Sequence, residues 1–196
     1  MTLFIADASS NNGHVNWTAA RGGGLSGGIE KVTQGHSYVN PLWPDAKQQL
    51  ELLARAHQDW LSGCYLFMDG ESSGSTQAQF FIEHAGNLDH FFIMVDVERV
   101  AGLSPTIEQA MECVRMLKRH YGSKPIAGYA PHWYTGKAWL GFFDVSVELE
   151  DSGDFSACLL VDALPLRRGF SIRGRWARAE GLLFTAICLP REHAGE

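Results

Sequence analysis

Five stretches of strand-forming residues recur along the chain, and helix-like periodicity fills most of the intervals between them. That alternation constrains the fold more than any other feature. "TLFIAD" opens the series, followed by a short helical segment from Trp17 to Arg21 that "GGG" stops. "GGIEKVTQG" is the second strand, and Pro44 opens a helix through "PDAKQQLELLARAHQDW" with Ala46, Leu50, Leu53 and Ala54 on one face. "GCYLFMDG" is the third strand, and Ser75 is placed to cap the helix "TQAQFFIEHAG". The fourth strand, "FFIMVDVERV", leads to "SPTIEQAMECVRMLKRHYG", where Ser104 and Pro105 start a helix and Gly122 ends it. "KPIAGYA" is the fifth strand. Strands linked by helices imply an α/β protein with a parallel sheet, and closure into a β/α barrel is the expected arrangement. With 196 residues and 45% hydrophobic content, one domain spanning residues 1–196 is expected.

In such a barrel, chemistry sits where the C-terminal ends of the strands meet the loops. Asp7 falls there on the first strand, Thr33 and Gln34 on the second, and Tyr65 and Asp69 at or just after the third. The fourth strand ends in Asp96 and Glu98, separated by one valine. Alternate strand residues share a face, so these carboxylates point the same way, roughly 6.5 Å apart along the backbone. Their proximity is expected to raise the pKa of one, leaving a proton donor beside an anion. Tyr129, His132 and Trp133 end or follow the fifth strand. Carboxylates and aromatics on one rim suit a sugar cleft, in which rings pack on pyranoses and paired acids cut the bond between them. Taken singly, "DVE" could cap a loop or pair with Arg99, and Asp7 could belong to a turn.

Several other classes recede. A net charge of −6 argues against nucleic acid as partner. No run of about 18 apolar residues exists to cross a membrane, and the N-terminus lacks the pattern of a secretory signal. Cys64, Cys113, Cys158 and Cys188 are scattered without a CxxC pair and read as reduced, largely core residues. None of the eight histidines forms HExxH, and Glu83-His84 reads as a solvated helix face, so neither metal nor cofactor is expected. "GGGLSGGIEK" precedes a strand and lacks a Gly-Lys-Ser/Thr phosphate grip, which makes it turn chemistry. "LRRGFSIRGRWAR" carries five arginines and reads as a solvated surface.

In order along the chain, "FIADASSNNGHVNW", "IEKVTQGHSYVNP", "GCYLFMDG", "STQAQFFIEHAG", "FFIMVDVE" and "PIAGYAPHWYTG" resemble successive blocks of glycoside hydrolase family 25, the muramidase-type lysozymes of phage endolysins and bacterial autolysins. The resemblance is clear over residues 3–144. It implies a flattened, irregular β/α (TIM-like) barrel that cuts the β-1,4 bond between N-acetylmuramic acid and N-acetylglucosamine. The family's catalytic acids fall on Asp7, Asp96 and Glu98, with Glu98 as general acid, Asp96 orienting the substrate and Asp7 holding the reacting ring. Lys31 and Tyr38 match its groove-lining lysine and tyrosine, and Tyr65, Tyr129 and Trp133 its aromatic wall; Gln34, at the end of the second strand, is a further candidate for substrate binding. The implied partner is bacterial peptidoglycan, met by a monomer that acts on the cell wall after phage-type lysis or non-standard export. Attack could come from a carboxylate or from the substrate's own N-acetyl oxygen. The chitinase signature of family 18 also ends in Asp-x-Glu, but Met94 and Phe91 stand where it needs further aspartates.

Beyond Asp144 the resemblance is patchy. "VSVELE" replaces a tryptophan-containing strand, and the family's closing segment with its late Asp is not recognisable, which makes the C-terminal part atypical or truncated and would leave an open sheet edge. All six basic residues after Lys137 are arginines, a shift that fits a frameshifted or truncated coding sequence. Asp162 and Glu148 could stand in for the absent acid, though no motif supports either. Two function classes follow: an active muramidase, or a non-catalytic peptidoglycan-binding or decayed relative. A sugar-binding protein without hydrolytic ancestry is a weaker third.

Overall fold

The structure is a computed structural model that describes residues 2–100, 102–131, 145–150, 156–161, 171–173, 175–179 and 182–190. Buried backbone groups must find partners, and the strands find them in one curled sheet. β1 (Thr2–Ala8) lies beside β2 (Gly27–Gln34), onto which the two-residue β3 (Tyr38–Val39) folds back antiparallel. β4 (Leu61–Met68), β5 (Phe91–Val97), β6 (Ile126–Pro131) and β7 (Val145–Glu150) continue the parallel series from β2. β8 (Ser156–Val161) and β9 (Ser171–Arg173) add antiparallel strands at that end. At the other end, β10 (Arg175–Ala179) pairs with β11 (Leu182–Pro190), and β11 pairs antiparallel with β1. An open sheet edge was expected from the atypical C-terminal part, and on the β1 side β11 covers it. β11 also comes within 8 Å, Cα to Cα, of β8 and β9, so the curl brings the two ends of the sheet together. The result is the irregular β/α barrel architecture anticipated from the strand–helix alternation, with an atypical C-terminal part.

Among the described residues, four α-helices join parallel strands: α1 (Trp17–Gly22), α2 (Trp43–Ala56), α3 (Gly74–Ala85) and α4 (Ile107–Tyr121). Three of their boundaries differ from the sequence expectation, each for a local reason. α2 stops at Ala56 because His57 turns extended, and Trp60 instead buries its ring and donates its indole N–H to Ser62 Oγ at 3.0 Å. α3 is capped by Ser73, whose hydroxyl accepts from Thr76 N, two residues before the expected Ser75. α4 begins after Thr106, which forms a reciprocal capping box with Gln109 and so outcompetes Ser104.

The two faces of the sheet divide the labour. Ala6, Val32, Cys64, Leu66, Ile93, Val95 and Ile126 pack in one cluster with Trp17, Leu50, Phe81, Val114 and Leu117 of the helices. Ile5, Ile29, Tyr65, Met94, Ala127 and Tyr129 alternate with them, are buried outside that cluster, and line the concave side. Cys64 and Cys113 are free and buried in the helix-side core, where burial pushes both thiols up. Cys158 and Cys188 lie on β8 and β11. Among the described residues no helix is long and apolar enough to cross a membrane.

Candidate active site

Strand register brings the polar residues of the concave side together. Gln34 pairs with Phe67, Phe67 with Asp96, and Asp96 with Tyr129, which makes a continuous row across β2, β4, β5 and β6. One row deeper, Lys31, Tyr65, Met94 and Ala127 are aligned in the same way. Asp7, at the end of β1, stands beside Ile29. Glu98 is one residue beyond β5 and two beyond Asp96, so it shares the face of Asp96 nearer the rim and is only half-buried.

A break in β2 completes this arrangement. Lys31 and Gln34 are three residues apart and would point to opposite faces of a regular strand. The register shifts between Lys31 and Thr33, a bulge that returns Gln34 to the concave side. Lys31 Nζ then donates to Gln34 Oε1 at 3.2 Å. The same ammonium lies 4.6 Å from the centre of the Phe67 ring and 5.6 Å from that of Tyr65, a cation over two aromatic faces. At the rim, the exposed Tyr38 shares a 2.6 Å hydrogen bond between its hydroxyl and that of Ser10.

The charges are mutually dependent. Asp96 is 7% exposed, and its carboxyl is held well above the usual range by burial first, then by repulsion from Glu98 and from Asp7, with Lys31 opposing. Glu98 is also raised, chiefly by burial. The Tyr129 phenol donates a hydrogen bond to the Glu98 carboxylate and works against that rise, as does Lys31, while Asp7 adds to it. Burial, rather than the mutual repulsion expected from sequence, is thus the main cause, and it acts on both acids. Lys31, 7% exposed, is lowered by its own burial against the pull of Asp96, Glu98, Asp7 and Glu30. Burial raises Tyr65 and Tyr129, and neighbouring carboxylates push in the same direction. Asp96 Oδ1 is buried without a hydrogen-bond partner among the described residues.

The structure therefore brings Asp7, Asp96, Glu98, Lys31, Gln34, Tyr65 and Tyr129 into one neighbourhood and puts Tyr38 on its margin. Trp133 and Asp162 lie outside the described residues, and Glu148 sits on β7 in register with Ala130. Sequence reasoning missed Phe67 beneath Lys31, and its reading of Tyr129 as groove wall did not include the interaction of the hydroxyl with Glu98. It also passed over Glu30, 2% exposed on the helix side of β2. Burial raises this carboxyl to about 7, and Asp7 and Asp45 add to the rise. Asn40 Nδ2 donates to Glu30 Oε1 at 3.0 Å and, like the Trp17 indole, opposes the shift; the indole lacks true hydrogen-bond geometry. The available signal was a carboxylate at a helix-facing strand position. Among the described residues, no group of three or more His, Cys, Asp or Glu side chains could hold a metal ion.

The family model for glycosyl hydrolases family 25 matches residues 6–146, which takes in Asp7, Lys31, Gln34, Tyr38, Tyr65, Asp96, Glu98 and Tyr129. The chain belongs to that family. It is accordingly a glycoside hydrolase by descent, with its acids at the strand ends where β/α barrels carry chemistry. A comparison with curated proteins finds no match. Among solved structures, the chain is similar to a family 25 glycosyl hydrolase from Bacillus anthracis, with a TM-score of 0.73, 17% identity, and coverage of 98% of this chain and 90% of the other. A family 25 lysozyme from Aspergillus fumigatus gives a TM-score of 0.56 at 18% identity, covering 84% of this chain and 96% of that one. The modular autolysin LytC from Streptococcus pneumoniae, solved with a synthetic peptidoglycan ligand, gives 0.56 at 12% identity, covering 95% and 46%. At such identities the likeness is one of fold.

Proposed function

We propose that this family 25 member is a peptidoglycan hydrolase of the N-acetylmuramidase type, cleaving the β-1,4 bond between N-acetylmuramic acid and N-acetylglucosamine. The observation that carries the reading is the convergence of Asp7, Asp96 and Glu98 at the strand ends on the concave side of the sheet, next to Tyr65, Tyr129 and Lys31. The peptidoglycan ligand of the LytC structure supports the substrate class. Glu98, the acid nearer the rim, protonates the leaving oxygen. Its burial favours the neutral form needed for that task, and the Tyr129 hydrogen bond keeps the proton transferable. Asp96, deeper and with an oxygen unpartnered among the described residues, receives an N–H or O–H of the sugar and faces the positive charge that develops at the ring. Asp7, at the end of β1, holds the reacting ring. Lys31 and Gln34 form a polar floor, and Tyr65 and Tyr38 offer ring faces to pyranoses. Residues 1–196 act as one domain, a monomer on the cell wall.

Clearing of purified bacterial walls tests this. Glu98→Gln keeps the shape and removes the proton, so turnover should fall by at least about a hundredfold while wall binding persists. Reducing-end analysis of the products should find muramic acid. Equal clearing by parent and mutant would remove Glu98 from the mechanism. Wall binding by the parent without clearing would favour the non-catalytic relative.

A further inference from the structure

Asn40 is fully buried, yet none of its side chain is spent on packing alone. Its Nδ2 donates to Glu30 Oε1 at 3.0 Å and to the Lys31 carbonyl at 2.8 Å, and its Oδ1 accepts from Leu42 N at 3.0 Å. Its backbone N–H donates to Val32 O at 2.8 Å. These contacts close the excursion that leaves β2 at Gln34, carries Tyr38 out to the rim and returns to α2. Its other ties lie toward the rim, where Gly35 N–H donates to Phe67 O at 2.9 Å and the Tyr38 hydroxyl meets that of Ser10 at 2.6 Å. β3 is only two residues long, and a pairing that short is marginal by itself. The α2 N-cap residue, Leu42, makes no side-chain cap, so the start of the helix is tied through Asn40, whose Oδ1 accepts from Leu42 N at 3.0 Å and whose carbonyl accepts from Trp43 N at 3.1 Å.

Glu30 is the other half of the device. It sits on the helix side of β2, one residue from Lys31, whose side chain enters the acid cluster. The carboxyl gives Asn40 a buried acceptor that no water need supply. With a pKa of about 7 it can serve in either protonation state, since the neutral acid retains an acceptor oxygen. We infer that Glu30 and Asn40 are positioning residues: a buried clamp on the helix side of β2 that sets the Lys31 backbone and the Gly35–Leu42 loop, and through them the glycan-facing Lys31, Gln34 and Tyr38. The clamp touches no substrate. Its effect is to order the loop before the glycan arrives, so that ordering is not charged against binding.

The inference rests on the muramidase reading for its functional consequence, and the test separates the two. Asn40→Ala, Glu30→Leu and Glu30→Gln are made in the full chain. Hydrogen exchange is followed at residues 35–42, and KM and kcat are measured on solubilised wall glycan. Loss of one buried partner should speed exchange of the Leu42 and Asn40 amides and raise KM about tenfold in Asn40→Ala. kcat should stay within about twofold, because the acids keep their places. Glu30→Leu should follow Asn40→Ala in direction, whereas Glu30→Gln, which preserves the acceptor, should match the parent. A parent that binds walls without cutting them would overturn the muramidase reading and not the clamp, for wall binding would then weaken in Asn40→Ala and not in Glu30→Gln. Unchanged exchange at 35–42 in Asn40→Ala overturns the clamp. So does a loss confined to kcat, or a Glu30→Gln variant as impaired as Glu30→Leu.

Discussion

Lys31 reaches all three acids of the site, and its position explains how so much negative charge is tolerated. Desolvation lowers its affinity for a proton, while Asp96, Glu98, Asp7 and Glu30 raise it. In turn it draws the Asp96 and Glu98 carboxyls downward. Replacing it by methionine keeps a chain of similar length over Phe67 and Tyr65 and removes only the charge. Both acids should then hold their protons to higher pH, and the whole pH–rate profile should move to the alkaline side. An unmoved profile, or one displaced toward acid, would mean that Lys31 is not within reach of the acids in solution. At this scale the sequence was partly readable. Asp96 and Glu98 could be assigned to one face because strand alternation is local, the ordered family blocks pointed to Lys31, and Gln34 stood out as a polar residue at a strand end. Their joint action could not be foreseen from spacing, since alternation sets residues 31 and 34 on opposite sides and only the bulge reunites them. Nor does a strand pattern reveal that the Tyr129 hydroxyl will meet Glu98, because that contact depends on the register between two strands more than thirty residues apart in sequence.

Elements were read more securely where hydrophobic periodicity was long. α4 and the apolar run of β5 were both expected in place, whereas their ends were settled by capping side chains that sequence offered in several versions: Ser73 against Ser75, Thr106 against Ser104. The two-residue β3 carries too few residues for any period to register. One packing detail was likewise invisible beforehand. Gly74 begins α3 where the helix crosses α4, and a Cβ there would run into the Gln109 carbonyl oxygen and press on the Cys113 amide. Gln109 also holds the β4–α3 loop, its Nε2 donating to Ser72 O at 2.8 Å, and Gln77 ties the same loop through Asp69 and Ser72. Gly74→Ala should therefore push α3 away from α4 and lower stability by about 1–3 kcal/mol. The urea midpoint would record it. A midpoint equal to the parent's would show that the two helices have room that the packing denies.

For the whole molecule, the acids that shape the site also set the pH at which the fold is most stable. Glu30, Asp96 and Glu98 are all raised on folding, mainly by burial, so the native state holds protons that the unfolded chain has released. Wherever the native state binds more protons, stability falls as pH rises. For Glu30 the window runs from the ordinary value of 4.5 to about 7. Across it, at roughly 1.4 kcal/mol per pH unit, about 3 kcal/mol is lost. Lys31, lowered on folding, acts in the opposite sense, over a window whose upper end is the ordinary value of 10.5. The protein should accordingly melt at a higher temperature at pH 5 than at pH 8. Glu30→Gln cannot ionise, so it should gain stability at pH 8, change little at pH 5, and narrow the difference without abolishing it, since Asp96 and Glu98 still contribute. Melting curves of parent and variant at the two pH values decide the matter. A parent that becomes more stable between pH 5 and pH 8 would contradict the burial of these carboxyls, and with it the dry, proton-retaining interior on which the acid pair depends.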